Sequence, residues 1–234
     1  MTITNRLKSY DLLITIAIIS MVIDHTGYFF IDYEPLRIIG RLAAPVFLFL
    51  AGYGNNHIKP SYLFWGLLLT FCIGGNSLDI LITFFILATT YHYLLRHLSS
   101  ISTLILVLSL SLLAFAIQMS FEGYYYPIYI HIAFFYFMAG KSLYNKQLYY
   151  SITYLILAIL FQFPLYFAFA SMPYSMLAPL ILLLVLYSYF YLDVLFYKNS
   201  VTNKYLRFAA QYSLQIYIVH IVAFSVLQQL LQLN

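Results

Sequence analysis

Leu12-Leu-Ile-Thr-Ile-Ala-Ile-Ile-Ser-Met-Val-Ile-Asp24-His25-Thr-Gly-Tyr-Phe-Phe-Ile31 is an apolar run with an acid and a histidine set deep within it. About 20 such residues are enough to cross a bilayer as a helix. Ionisable groups are expensive in hydrocarbon, so Asp24 and His25 are read as a functional site by default. Just beyond, Arg37-Ile-Ile-Gly-Arg41 adds two cations at the start of the next apolar stretch. The first run therefore decides both the fold, a membrane helix, and the place to look for chemistry.

Composition agrees. The chain of 234 residues is 64% hydrophobic and 8% charged, where a soluble domain carries about 25% charged residues. That inventory cannot surface a water-soluble fold of this size, and the class it fits is an all-α integral membrane protein. The 25 Tyr and 21 Phe suit interfacial belts and packed helix contacts. The net charge of +4 does not point to nucleic acid, because the cations sit in short loops between apolar runs. Cys72 stands alone, which excludes an internal disulfide and reads as a small packed residue. The first run is too long for a signal-peptide core and lacks a small-residue cleavage site, so a retained first span is expected.

Nine spans are predicted, at 11–31, 36–54, 61–75, 78–96, 101–119, 124–141, 147–170, 174–196 and 207–231, forming one polytopic bundle over 1–234. Nine spans place Arg6, Lys8, Lys59, Arg96, Lys141, Lys146, Lys198, Lys204 and Arg207 on one side. Asp32, Glu34, Asp79 and Glu122 fall on the other, with no loop lysine. The positive-inside rule then sets the N-terminus in the cytoplasm and the C-terminus outside. Of the eleven basic residues, Arg37 and Arg41 depart from the pattern.

Depth brings the polar residues together. At about 1.5 Å per helical residue, His25 lies roughly 21 Å from the cytoplasmic end of its span. Arg41 and His131 lie early in spans descending from the outside, and His220 lies near the middle of the last. All fall between the midplane and the outer leaflet, so they share a site if the bundle brings spans 1, 2, 6 and 9 together. Arg37 and Arg41 are four apart and share a helix face. Tyr217 and His220 share another. Pro45 removes the amide that would bond the Arg41 carbonyl, which suits a polar cavity more than a lipid face.

Plainer readings stand beside these. His131 or His92 alone reads as a histidine bonding a carbonyl or sitting among headgroups. Asp24 can serve as an ion-pair partner of Arg41 or Arg37, compatible with a catalytic His25 next door. Tyr124-Tyr125-Tyr126 beside Glu122 reads as an outer-interface anchor. Lys141, Lys146, Lys198, Lys204 and Arg207 read chiefly as topology determinants, with contact to ligand phosphates a secondary use. No close histidine pair or cysteine cluster has metal-ligand spacing, so no metal is expected. Nucleotide-loop and nucleophile-elbow motifs are absent from the sequence.

Ile18-Ile-Ser-Met-Val-Ile-Asp24-His25-Thr-Gly27, followed by Arg37-Ile-Ile-Gly40-Arg41-Leu-Ala-Ala-Pro45-Val-Phe47-Leu-Phe49, resembles the TraX-like family. Tyr212-Ser-Leu-Gln-Ile-Tyr217-Ile-Val-His220 is similar to the stretch near the end of that family and of the broader membrane acyltransferases. About 50 residues carry the resemblance. One departure is Ile14, where the family often has a lysine eleven residues before the histidine.

The best-known members acetylate the N-terminus of conjugative pilin subunits. The resemblance therefore implies one transmembrane acyltransferase-like domain in the bacterial inner membrane. It would take an acetyl group from cytoplasmic acetyl-CoA to an acceptor at the outer side, favouring a pilin N-terminal amine. In this picture His25 is the general base, or an acyl carrier. Asp24 orients it or stabilises an imidazolium, and Arg41 stabilises the oxyanion. Arg37, Tyr217, His220 and His131 line the substrate site, His220 being second choice for proton transfer. Beyond the lipid bilayer, the expected partner is a pilin or another membrane-proximal acceptor, and no nucleic acid. A small-solute transporter or channel using the same His/Arg/Asp set is the leading alternative, although no inverted repeat supports it. A non-enzymatic pilin assembly factor and an acyltransferase acting on a glycan are the others.

Overall fold

The computed structural model describes residues 10–31, 33–40, 42–54, 59–73, 79–120, 130–169 and 204–232, and every regular element among them is helical. Helix α1 (Tyr10–Thr26) runs on into a π turn, Gly27–Ile31. Then come α2 (Glu34–Gly40), α3 (Ala43–Tyr53), α4 (Pro60–Ile73) and α5 (Ile80–Tyr93). After a 3-10 turn at Leu95–His97 follow α6 (Ser100–Ser120), α7 (Ile130–Tyr144), α8 (Leu148–Phe169), α9 (Lys204–Gln211) and α10 (Ser213–Gln232). Among the described residues, three stretches have the length and composition to cross a membrane: Asp11–Ile31, Ser100–Ile117 and Ser213–Leu231. The first coincides with the first predicted span. The protein is a helical membrane protein.

Two predicted spans differ in form. Within the stretch 36–54, helix α2 ends at Gly40 and a separate helix α3 starts at Ala43 after a turn at Leu42. Pro45 then occupies the first turn of α3, where a missing amide costs nothing. The stretch 207–231 begins later than predicted. Lys204 and Arg207 belong to the short amphipathic α9, and the apolar helix starts at Ser213 after a turn at Tyr212. A helix carrying two cations and Gln211 within eight residues is suited to the interface, with Tyr205 and Phe208 exposed on it. The predicted span 174–196, Arg6, Lys8, Lys198, Glu122 and Tyr124–Tyr126 lie outside the described residues.

The chain forms two compact units, Met1–Phe47 with Leu165–Asn234, and Leu48–Pro164. In the first, α1 packs against α2, α9 and α10. In the second, α7 is the core. Ile130 and Ile132 to Gly140 are all buried, as expected of a helix apolar all round. Two glycines explain how closely α3 approaches it. A Cβ on Gly52 would strike the Phe137 carbonyl, and one on Gly140 would strike the Phe49 carbonyl. Small residues that let helix backbones touch supply much of the association in lipid, where apolar burial gives little preference. The Ser151 hydroxyl donates to the Ala139 carbonyl at 2.8 Å and ties α8 to α7. Helices α4 and α5 are joined similarly: Gly66 lies against Ile82, and the Asp79 amide donates to Thr70 Oγ1 at 3.0 Å. The Asp79 carboxylate accepts from the Leu81 amide at 2.9 Å, capping α5.

Candidate functional site: a histidine pair between three helices

The site lies within the first unit and is built from α1, α2 and α10. Gly40 has no side chain where a Cβ would overlap the backbone and Cβ of Asp24. Gly27 would place a Cβ 3.1 Å from Arg37 Cγ and Leu36 Cβ. These two contacts hold α2 against the end of α1 and bring Arg37 beside the residues that follow His25. The glycines of the two motif stretches are thus the packing half of the motif, and the ionisable residues are the chemical half. The π turn sits directly after His25, a geometry frequent at functional sites. Thr26 returns its hydroxyl to the Val22 carbonyl at 2.8 Å as the helix changes form.

His25 and His220 meet across α1 and α10. Their rings are nearly parallel, at 13° with centroids 4.8 Å apart, and His25 Nδ1 lies 2.5 Å from His220 Nε2. His220 Nδ1 lies 2.9 Å from the Ile216 carbonyl oxygen. A carbonyl can only accept, so in the neutral ring Nδ1 carries the proton and Nε2 is the acceptor. His25 must then donate from Nδ1, which leaves the lone pair of His25 on Nε2. This assignment follows from the hydrogen-bond network. A backbone carbonyl fixes one imidazole, and that imidazole fixes the other.

Aromatic rings enclose the pair. Phe29 meets His25 edge-on at 6.2 Å, and Phe224 meets His220 edge-on at 5.7 Å. Tyr217 lies 6.3 Å from His25 and 5.8 Å from His220. The Arg37 guanidinium stands over the Tyr28 ring at 5.1 Å, a cation–π contact. Its buried Nε has no hydrogen-bond partner among the described residues.

Of the residues singled out from sequence, His25, Asp24, Arg37, Tyr217 and His220 come together here. Arg41 lies outside the described residues, and with it the Asp24–Arg41 pair. His131 is on α7 in the second unit, and its side chain is likewise outside the description. Sequence reasoning missed Phe29, Phe224 and Tyr28. The first two follow His25 and His220 by four residues, so helical spacing alone could have placed them on the same faces. Two imidazoles bonded to each other are fewer than a zinc site needs, and among the described residues no group of three metal-ligating side chains occurs.

A helical membrane protein with a half-buried, hydrogen-bonded histidine pair is the class that the fold and site define. The family model for the TraX protein matches residues 9–228, and the chain belongs to that family. A stretch of 57 residues is 51% identical to an uncharacterised protein of Rickettsia prowazekii (strain Madrid E). That match spans 24% of this chain and 23% of the relative. No solved structure matches the chain.

Proposed function

We propose that the protein is a membrane-embedded acyltransferase in which His25 Nε2 removes the proton of an acyl acceptor. The His25–His220–Ile216 hydrogen-bond chain carries this reading, together with membership of a family whose best-known members acetylate pilin. An amine attacking a thioester must lose a proton, and neutral imidazole is the side chain best matched to accept it near neutral pH. His220 holds His25 with its lone pair on Nε2, and on protonation the positive charge is shared with His220 and the Ile216 carbonyl. The rings of Phe29, Tyr217 and Phe224 flank the base. Asp24 and Arg37 flank the pair, and Arg41 is assigned the developing oxyanion. The donor is acetyl-CoA from the cytoplasm and the acceptor a pilin N-terminal amine, a glycan being the second choice. In this arrangement the chain crosses the bacterial inner membrane nine times, N-terminus inside.

The test is transfer of label from acetyl-CoA in membranes supplied with pilin or glycan. Wild type is expected to transfer it and His25→Ala to fall by about 10²–10⁴-fold. Equal transfer by both would remove His25 from the chemistry.

A further inference from the structure

We propose that a polar cavity in the second unit, at the end where α5 turns into α6 and α7 into α8, binds the phosphate group of an anionic ligand. The cavity measures about 130 Å³ and is lined by Tyr91, Arg96, Ser100, Lys141, Asn145 and Tyr154, among others. Two lining residues are cationic and none is acidic.

Lys141 carries the argument. Its half-buried ammonium lies 4.9 Å from the Tyr91 ring and 4.8 Å from the Tyr144 ring. Ring faces attract the charge but offer no lone pairs to its three N–H donors. A partly desolvated cation in this setting is satisfied by an anion entering the cavity. Arg96 is positioned rather than loose: its Nε donates to His97 Nε2 at 2.9 Å, and a terminal nitrogen lies 3.3 Å from His92 Nδ1. Further donors of its guanidinium remain available.

Neutral donors complete the wall. Tyr154, 1% exposed, lines the cavity with Tyr91. Helices α6 and α8 both begin here, and Gln147 Nε2 donates to Ser100 Oγ at 3.3 Å between the two starts. Their N-terminal amides add positive potential to that of the two cations. The preceding turn is strained. Lys146 has φ of 62° and closes α7, with the Gln147 amide bonding the Ser142 carbonyl at 2.8 Å and the Lys146 amide bonding Leu143 at 2.9 Å. Glycine is the usual residue at this position.

The cavity is well below the roughly 300–1,000 Å³ of sites that enclose a whole drug-sized ligand. It therefore takes a phosphoryl or diphosphoryl group while the rest of the ligand stays outside. A soluble phosphate ester and a phospholipid headgroup present the same chemistry. The inference does not depend on acyl transfer occurring.

The experiment uses the detergent-purified full chain and three probes: inorganic pyrophosphate, coenzyme A and phosphatidylglycerol. Binding of the first two is measured by calorimetry, and retention of the lipid by native mass spectrometry. Lys141→Met and the surface variant Arg96→Gln are each expected to weaken binding about tenfold or more, as loss of one charge-assisted hydrogen bond does. Lys141→Arg should retain most of it, and Lys59→Met, which removes a cation elsewhere, should leave it unchanged. Weakening confined to the soluble probes assigns a phosphate ester, and loss confined to the lipid assigns a headgroup. Failure of all three to bind wild type, or equal binding by every variant, would overturn the site.

Discussion

His220 bonds the Ile216 carbonyl through Nδ1 and receives His25 Nδ1 on Nε2, so the two histidines have different jobs on one hydrogen-bond chain. In the proposed mechanism His25 holds the available lone pair and His220 positions it. Replacing His220 with Ala should lower acyl transfer by roughly 10–10²-fold, less than the loss of the base itself. His220→Gln keeps an acceptor at the ring's place and should recover part of the loss. The pH at half-maximal kcat/KM is the diagnostic readout. It should move in His220→Ala, whereas mere loosening of the bundle would lower the plateau without moving the midpoint. Lys146 gives a stability test at the same scale. Its left-handed backbone disfavours any side chain with a Cβ, so Lys146→Gly should raise stability by about 0.5–1 kcal/mol in denaturant titrations.

At the scale of elements, closely approaching helices rest on glycine. Gly52 and Gly140 seat α3 on α7, and Gly40 seats α2 on Asp24. Gly140→Val should destabilise the second unit by roughly 1–3 kcal/mol, read as earlier thermal unfolding, because its Cβ meets a backbone carbonyl that cannot step aside. Gly40→Ala should spare much of the fold but displace α2 from Asp24, so activity is expected to fall further than stability. The first span and the ionisable cluster were legible in sequence because a charge in an apolar run has few explanations. The turn at Leu42 between α2 and α3 and the polar α9 before Ser213 were not legible there. Hydropathy averages over a window and passes across an interruption of one or two residues. The aromatic enclosure was hidden for a different reason. With 46 Tyr and Phe in the chain, Phe29 and Phe224 carry no distinguishing composition, and only the meeting of α1 with α10 selects them.

At the scale of the molecule, two polar places stand out among the described residues: a half-buried histidine pair in the first unit and a cationic cavity in the second. Loop charge could suggest a cation-rich side, but the convergence of Lys141, Arg96 and two helix starts on one cavity depends on tertiary packing. The proposed topology has its own check. A C-terminal alkaline phosphatase fusion should be active and a green fluorescent protein fusion dark, as an odd number of spans from a cytoplasmic N-terminus requires. The central claim concerns the histidine pair, and one measurement addresses it most directly: transfer of labelled acetyl from acetyl-CoA to a supplied pilin or glycan in membranes containing wild type, His25→Ala or His220→Ala. Label at a pilin N-terminus or a glycan with wild type, lost in His25→Ala and reduced in His220→Ala, is the expected result. Undiminished transfer by a folded His25→Ala protein, or none by wild type with both acceptors present, would contradict it.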